Sequence, residues 1–151
     1  MQIALESPEQ PDVVQLIARL DEYQSGLYPA ESNHLLDLAS LKQPHVLFAV
    51  ARDNAGLALG CGAVVLQRDF SELKRMFVLP GLRGRGIGNA ILGFLEAAAI
   101  QRGSALLMLE TGIRQVEALR LYERAGFQRC GPFGDYADDP LSVFMRKKVS
   151  G

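Results

Sequence analysis

The chain has 151 residues, a mass of 16.5 kDa, and 16 Lys and Arg set against 17 Asp and Glu, with 48% hydrophobic residues. A chain of this length buries roughly 70% of the surface it exposes when unfolded, so it needs no disulfide or metal framework, and a single domain over residues 1–151 is expected. A net charge of -1 with 22% charged residues excludes a disordered chain and a globally basic nucleic-acid binder, while leaving room for a local anion site.

Ile3 and Leu5 alternate with polar neighbours in a short first strand. Pro8 and Pro11 punctuate the chain before Asp12, which caps a helix carrying Val13, Leu16, Ile17 and Leu20 at helical spacing. Gly26 and Pro29 break it, and Glu31 to Ser40 reads as a second, shorter helix bearing Leu35, Leu36 and Leu38. His45 to Arg52 is apolar and β-prone, Asp53-Asn54-Ala55-Gly56 is a turn, and Leu57 to Arg68 completes a hairpin. Glu72 to Leu79 forms a third central strand, ended by Pro80-Gly81.

Ile87, Ala90, Ile91, Phe94, Leu95 and Ala98 fall at i, i+3, i+4, i+7, i+8 and i+11, an apolar stripe that makes residues 87 to 101 an amphipathic helix. Arg102-Gly103 ends it. Ala105 to Leu109 is a continuous apolar run suited to a buried strand, and Gln115 to Ala125 is a helix stopped by Gly126. Phe127 to Cys130 and Ser142 to Lys148 are two further strands around a loop containing Pro132, Gly134 and Pro140. The order is β-α-α-β-β-β-α-β-α-β-β, an α/β chain without internal repeats.

Cys61 and Cys130 lie 69 positions apart, in no metal-ligand spacing and inside apolar runs. They read as buried thiols acting as small hydrophobes, with a redox role as the alternative, and no metal is expected. Met1 to Gln10 carries Glu6 and Glu9 and lacks the basic and apolar regions of a signal peptide, and no window reaches about 18 uninterrupted apolar residues. The expected location is the cytoplasm, with neither membrane nor nucleic acid as partner. Charge is divided unevenly: residues 1–45 hold two cations against seven anions, a balance of -5, and residues 46–151 hold 14 against 10, a balance of +4. Two differently charged ligands meeting on the chain would account for this, and so would ordinary solvated faces.

The most informative segment is Pro80-Gly81-Leu82-Arg83-Gly84-Arg85-Gly86-Ile87-Gly88, between a strand and the start of an amphipathic helix. Glycines let the backbone turn tightly and gather N–H groups, the helix dipole adds partial positive charge, and Arg83 and Arg85 add full charges, which together suit a phosphate. The alternative is a glycine-rich turn with two solvated arginines. Two other phosphate loops are set aside. No Lys-Ser/Thr pair follows Gly86, as a P-loop requires, and Gly84-x-Gly86-x-Gly88 has the wrong last spacing for a dinucleotide fingerprint.

Arg83, Gly86 and Gly88 meet the pattern [QR]-x-x-G-x-[GA], and Leu121-Tyr122-Glu123-Arg124-Ala125-Gly126-Phe127 meets L-Y-x-x-x-G-F at a helix end. In these two motifs and in its element order the chain resembles the Gcn5-related N-acetyltransferase (GNAT) family. Glu110-Thr111-Gly112 and Pro132-Phe133-Gly134-Asp135-Tyr136 look like a small bacterial, mostly uncharacterised subgroup of it. The resemblance implies the acyl-CoA N-acyltransferase fold, a mixed and mostly antiparallel sheet flanked by helices. It further implies acetyl-CoA as cosubstrate and a primary amine of a small molecule or peptide as acceptor. A non-catalytic acyl-CoA-binding regulatory or interaction module on the same fold is the alternative, and a homodimer is left open.

By the same resemblance the strand Glu72 to Leu79 splays from Ala105 to Leu109 to admit the pantetheine arm. Backbone groups of Met76, Phe77 and Val78 would bond that arm, and the amides of Arg83, Gly84, Arg85, Gly86, Ile87 and Gly88 would hold the pyrophosphate. Tyr122 matches the position whose phenol protonates the departing thiolate, with a core tyrosine as the alternative. Glu72, 11 residues before Arg83, matches a base acting through water, with pairing to Lys74 or Arg68 as the alternative. Gln115 stands where the family often has Asn, seven residues before the tyrosine, and keeps an amide for the cofactor arm. The acceptor site implied lies between Tyr23, Tyr28, Glu31, Asn33 and His34 on one side and Phe133, Asp135, Tyr136, Asp138 and Asp139 on the other. Its acidic bias suits a cationic amine. His34 is a second candidate base, with a surface or capping role as the alternative, and His45 reads as structural.

Overall fold

A computed structural model describes residues 1–27 and 38–150. The elements are β1 (Gln2–Leu5), α1 (Pro11–Leu27), α2 (Leu38–Leu41), β2 (Val46–Arg52), β3 (Ala58–Leu66), β4 (Ser71–Val78), a 3-10 turn at Pro80–Leu82, α3 (Ile87–Gln101), β5 (Leu106–Gly112), α4 (Val116–Arg124), β6 (Gln128–Cys130) and β7 (Ser142–Lys148). Seven strands form one sheet in the order β1-β2-β3-β4-β5-β7-β6, antiparallel except where β4 meets β5. Among the described residues no helix is long and apolar enough to cross a membrane.

Side chains alternate across a strand, so β2 divides the core in two. Leu47, Ala49 and Ala51 join α3 (Ile87, Ile91, Leu92, Leu95) and α4 (Leu119, Tyr122) on one face. Phe48 and Val50 join α1 (Val13, Leu16, Ile17, Leu20) on the other. The apolar stripe expected over 87–101 is α3 end for end, because Gly86 and Gly103, both at positive φ, turn the chain at its two limits.

Several boundaries differ from the expectation for local reasons. β3 stops at Leu66, because the Gln67 amide donates to the Phe70 carbonyl in a turn. β5 runs past Leu109 to Gly112, since Glu110, Thr111 and Gly112 all pair with β7. Gln115 stands at the N-cap of α4 rather than inside it. Of the helix expected over Glu31 to Ser40, residues 31–37 lie outside the described residues, and α2 spans Leu38–Leu41. Cys61 is fully buried, its thiol pushed up to about 12 chiefly by that burial. Cys130 is half-buried instead, since its strand lies at the sheet edge.

Two irregularities in β4 shape everything that follows. First, β4 pairs with β5 only through Ser71, Leu73 and the residue between them, opposite Leu107 to Leu109. Beyond that point β4 continues to Val78 and β5 to Gly112 with no pairing between them, so the sheet opens into a cleft. Second, Cys61 pairs with Phe77 while Ala63 pairs with Lys74, two steps on β3 against three on β4. This bulge centres on Arg75, a non-glycine residue at φ 59°, and a bulge turns consecutive side chains toward one face.

Candidate active site

The cleft has a backbone-built end. After the Pro80–Leu82 turn, Gly84 (φ 83°) and Gly86 (φ 78°) take left-handed conformations that lead into α3. A Cβ at either would meet nothing within 4 Å, so glycine is required there by the backbone and not by space. The first turn of α3 begins with the Ala90 amide donating to the Gly86 carbonyl at 3.0 Å. The amides of Ile87, Gly88 and Asn89 therefore have no acceptor inside the helix, and a helix start of this kind attracts an anion. Gly88 answers to space instead: a Cβ there would lie 3.3 Å from Leu121 Cδ2 and 3.7 Å from Val78 Cγ2.

Arg85 is exposed, whereas Arg83 is engaged. Its guanidinium stands 5.4 Å from the Tyr23 ring centre and 3.2 Å from Glu117 Oε2. Tyr23 belongs to α1 and Glu117 to α4, helices that cover opposite faces of the sheet, so Arg83 bridges across the open end of the cleft.

Along the cleft wall, the side chains of Met76 and Phe77 are committed to packing. Phe77 lies in the α1-side core, Met76 packs against the α3-side core, and Met76 Sδ leaves no room for a Cβ at Gly62 (2.5 Å). The edge of β4 that faces β5 from Lys74 to Val78 carries only backbone groups without a strand partner.

Tyr122 enters from α4, 6% exposed and edge-on to Phe127 with ring centres 5.8 Å apart. Gly126, at φ 99°, closes the helix through the Phe127 amide donating to the Tyr122 carbonyl. Burial pushes the Tyr122 phenol above its ordinary range, and the negative charge of Glu110 pushes it further. Tyr122 therefore keeps its proton at neutral pH.

On the α1 face the cleft is lined by charged and aromatic side chains. Glu72 is buried, accepts a hydrogen bond from the Tyr136 hydroxyl, and has Lys74 Nζ at 3.5 Å. Lys74 Nζ also donates to the Tyr136 oxygen at 2.8 Å and sits 5.4 Å from that ring's centre. The Tyr136 ring is held edge-to-face between Phe133 and Phe144. Burial raises its phenol pKa, and Glu72 raises it further. Glu110 on β5 accepts from Ser142 Oγ at 2.7 Å, and Arg75 pairs with Asp21 of α1.

Glu72, Phe133 and Tyr136 are thus brought together, while Tyr122 packs in the α3-side core, with the Glu110 charge acting on its phenol. Tyr23 stands by Arg83 at the cleft mouth. Gln115 sits two residues from the Arg83 partner Glu117. Asp135 and Asp138 are exposed, and Asp139 caps the Leu141 amide at 2.8 Å. Tyr28, Glu31, Asn33 and His34 lie outside the described residues. Glu72 has the Lys74 partner anticipated for it, and Tyr136 as well. Lys74, Arg75 and Glu110 were not singled out as site residues, and the two cations offset the acidic bias read from the sequence. Their signal was present as Glu72-x-Lys74 on alternate strand positions, but the bulge that turns Arg75 to the same face leaves no mark in residue type. Among the described residues no group of three or more His, Cys, Asp or Glu is placed to hold a metal ion.

Comparison with known proteins meets this geometry. The family model described as Acetyltransferase (GNAT) domain matches residues 44–129. An IAA acetyltransferase of Azospirillum brasilense is 50% identical over 149 residues, covering 97% of each chain. The uncharacterized N-acetyltransferase YsnE of Bacillus subtilis is 37% identical over 152 residues, covering 99% of this chain and 100% of its own. Among solved structures, a protein assigned as an acyl-CoA N-acyltransferase from Klebsiella pneumoniae superposes with a TM-score of 0.84 at 39% identity, over 98% of this chain and 97% of that one.

Proposed function

Because the chain belongs to the GNAT acetyltransferase family and is an acetyl-CoA-dependent N-acetyltransferase, we propose that it passes the acetyl group directly to a primary amine of a small molecule or peptide. The relative from Azospirillum brasilense is named IAA acetyltransferase, which favours a small molecule over a peptide. The observation that carries the reading is the parting of β4 from β5, which leaves a backbone edge open beside an anion-suited helix start.

In this reading the α3 amides and the left-handed glycines receive the pyrophosphate of acetyl-CoA, with Arg83 and Arg85 beside it. The open edge at Met76, Phe77 and Val78 bonds the pantetheine arm and fixes the thioester carbonyl. The amine nitrogen attacks that carbonyl carbon, a C–N bond forms, and the C–S bond breaks. Tyr122 donates its proton to the sulfur as it leaves, so CoA departs as the thiol. The proton lost by the amine passes through water toward Glu72, with the Tyr136 hydroxyl, which donates to that carboxylate, as the intervening link. Gln115 lies at the α4 start for a contact to the cofactor arm, and Phe133 and Tyr136 wall the acceptor, with Tyr28, Glu31 and His34 proposed on the α1 side.

Release of free CoA, followed with a thiol reagent over a panel of amines, tests this directly. A turning-over amine is expected, and Tyr122→Phe should cut release while acetyl-CoA still binds. Unchanged release in that variant would sink the acid role.

A further inference from the structure

We infer that the acceptor carries an anionic group of the carboxylate kind close to its reacting amine, and that Lys74 reads this group while Glu110 receives the ammonium. The inference rests on the acceptor reading above and narrows its substrate class to amino acids and molecules built like them.

The placement follows from the sheet register. Glu72 pairs with Met108 across the parallel β4–β5 ladder, and pairing ends one residue later at Leu73 and Leu109. Side chains of one face recur every second residue, so the next same-face positions are Lys74 on β4 and Glu110 on β5. They stand on opposite sides of the first step at which the strands part. The pairing of Glu110 with Phe144 in β7, and the contact of Phe144 with Tyr136 at 5.6 Å between ring centres, confirm which face this is. One positive and one negative side chain therefore flank the place where an amine must meet the thioester.

The conformation of Lys74 is the second part of the argument. A lysine stem ordinarily carries its ammonium out to water. Here the side chain is only 14% exposed, and its ammonium donates to the Tyr136 oxygen at the hydroxyl end of that ring, 5.4 Å from the ring's centre. Tyr136 does not need a lysine to hold it, since its hydroxyl already donates to Glu72 and its ring is packed between Phe133 and Phe144. Glu72 lies 3.5 Å from the ammonium, too far for a strong hydrogen bond. An ammonium has three donors, and among the described residues these two contacts leave one direction for a ligand.

Selectivity supplies the third part. A site for a plain cationic amine is weakened by a half-buried lysine beside it, because like charges repel where solvent screening is poor. A purely anionic acceptor would meet Glu110 and Glu72 in the same way. A molecule bearing both signs finds a partner for each.

The test uses acetyl-CoA, the full chain and matched probes: free amino acids, among them phenylalanine, leucine, lysine and glycine, each beside its C-terminal amide, which keeps the amine and removes the anion. CoA release should favour a free acid over its amide on the order of 10- to 100-fold in kcat/KM, the scale of a hydrogen bond to a charged group. Lys74→Met should bring that ratio close to one by lowering the acid's value, and Lys74→Arg should keep most of the preference. Glu110→Gln should raise KM for acid and amide alike. Thermal unfolding of each variant near that of the parent separates these effects from misfolding. Amides or anion-free amines turned over as well as the acids, or a preference that survives Lys74→Met, would overturn the inference while leaving acetyl transfer to an amine intact. CoA release that no amine, acid or amide, raises above the rate without amine would instead be the failure of the acceptor reading, and this inference would fall with it.

Discussion

The loop from Pro80 to Gly88 and the wall formed by Glu72, Lys74 and Tyr136 lie along the same opening in the sheet, and they are built in different ways. The loop works through backbone: two left-handed glycines and a helix start whose first amides lack helical acceptors. Its residues are contiguous, and four of the nine are glycines, which carry no side chain. The wall works through side chains from separate parts of the chain. Glu72 and Tyr136 are 64 residues apart, and Glu110 reaches Ser142 across 32. A backbone-built site suits a ligand that is the same in every reaction of a family. A wall of side chains can be changed without disturbing that grip, which is where choice of acceptor is expected to reside.

The largest expected effect falls between the two regions. Tyr122→Phe should lower kcat about 100- to 1,000-fold, the range of general acid catalysis, with acetyl-CoA affinity within about 3-fold, since the phenyl ring keeps its contact with Phe127. An acid acts only while protonated, and burial and Glu110 raise the Tyr122 pKa. Activity should therefore show no basic decline attributable to this phenol below about pH 10, the ordinary tyrosine value. A pH–rate profile falling between pH 8 and 9, and losing that limb in Tyr122→Phe, would contradict the assignment.

Gly86→Ala tests the backbone region alone, because nothing stands within 4 Å of the added Cβ and only the positive φ is penalised. Acetyl-CoA affinity should fall at least about 10-fold by calorimetry, while stability drops by about 1–2 kcal/mol in a denaturant titration. Affinity held within 2-fold would mean that the loop does not need its left-handed turn. Tyr136→Phe tests the wall. It removes the hydroxyl that joins Glu72 to Lys74 and passes the amine proton on, so it should lower kcat and raise the acceptor KM about 10-fold, leaving the acetyl-CoA KM nearly unchanged. Equal changes in both would erase the division between the two regions.

The smallest effect concerns the bridge at the cleft mouth. Glu117 is mostly exposed, and surface ion pairs contribute little. Glu117→Gln releases Arg83 from a competing carboxylate and should tighten acetyl-CoA binding by about 2-fold at low salt, less at high salt. Weaker binding would mean that Glu117 positions Arg83 for its anion.

The difference in construction also explains how much could be read beforehand. The apolar stripe of Ile87, Ile91 and Leu95 and the flanking glycines mark α3 within the sequence itself, and Gly126 marks the end of α4 in the same way. The loop was legible because its chemistry is local. The wall was legible only in part. Glu72, Phe133 and Tyr136 came from likeness to a family, but the hydrogen bond between Glu72 and Tyr136 depends on a loop after β6 folding back over β4. Lys74 looked like a partner of Glu72 and nothing more until the register placed it opposite Glu110. Arg75 holds a positive φ that no residue type other than glycine advertises. The Arg83 bridge joins α1 and α4 from opposite faces of the sheet, a proximity that arises only because the strands part between them.

The parting of β4 and β5 as the seat of acetyl-CoA is most directly tested by backbone amide shifts recorded by NMR during an acetyl-CoA titration. Saturating shifts are predicted for Gly84 to Asn89 and for Lys74 to Val78, with β1 and β6 unmoved. Shifts restricted to the loop, with Lys74 to Val78 silent, would show that the arm does not enter between the strands and would contradict the account.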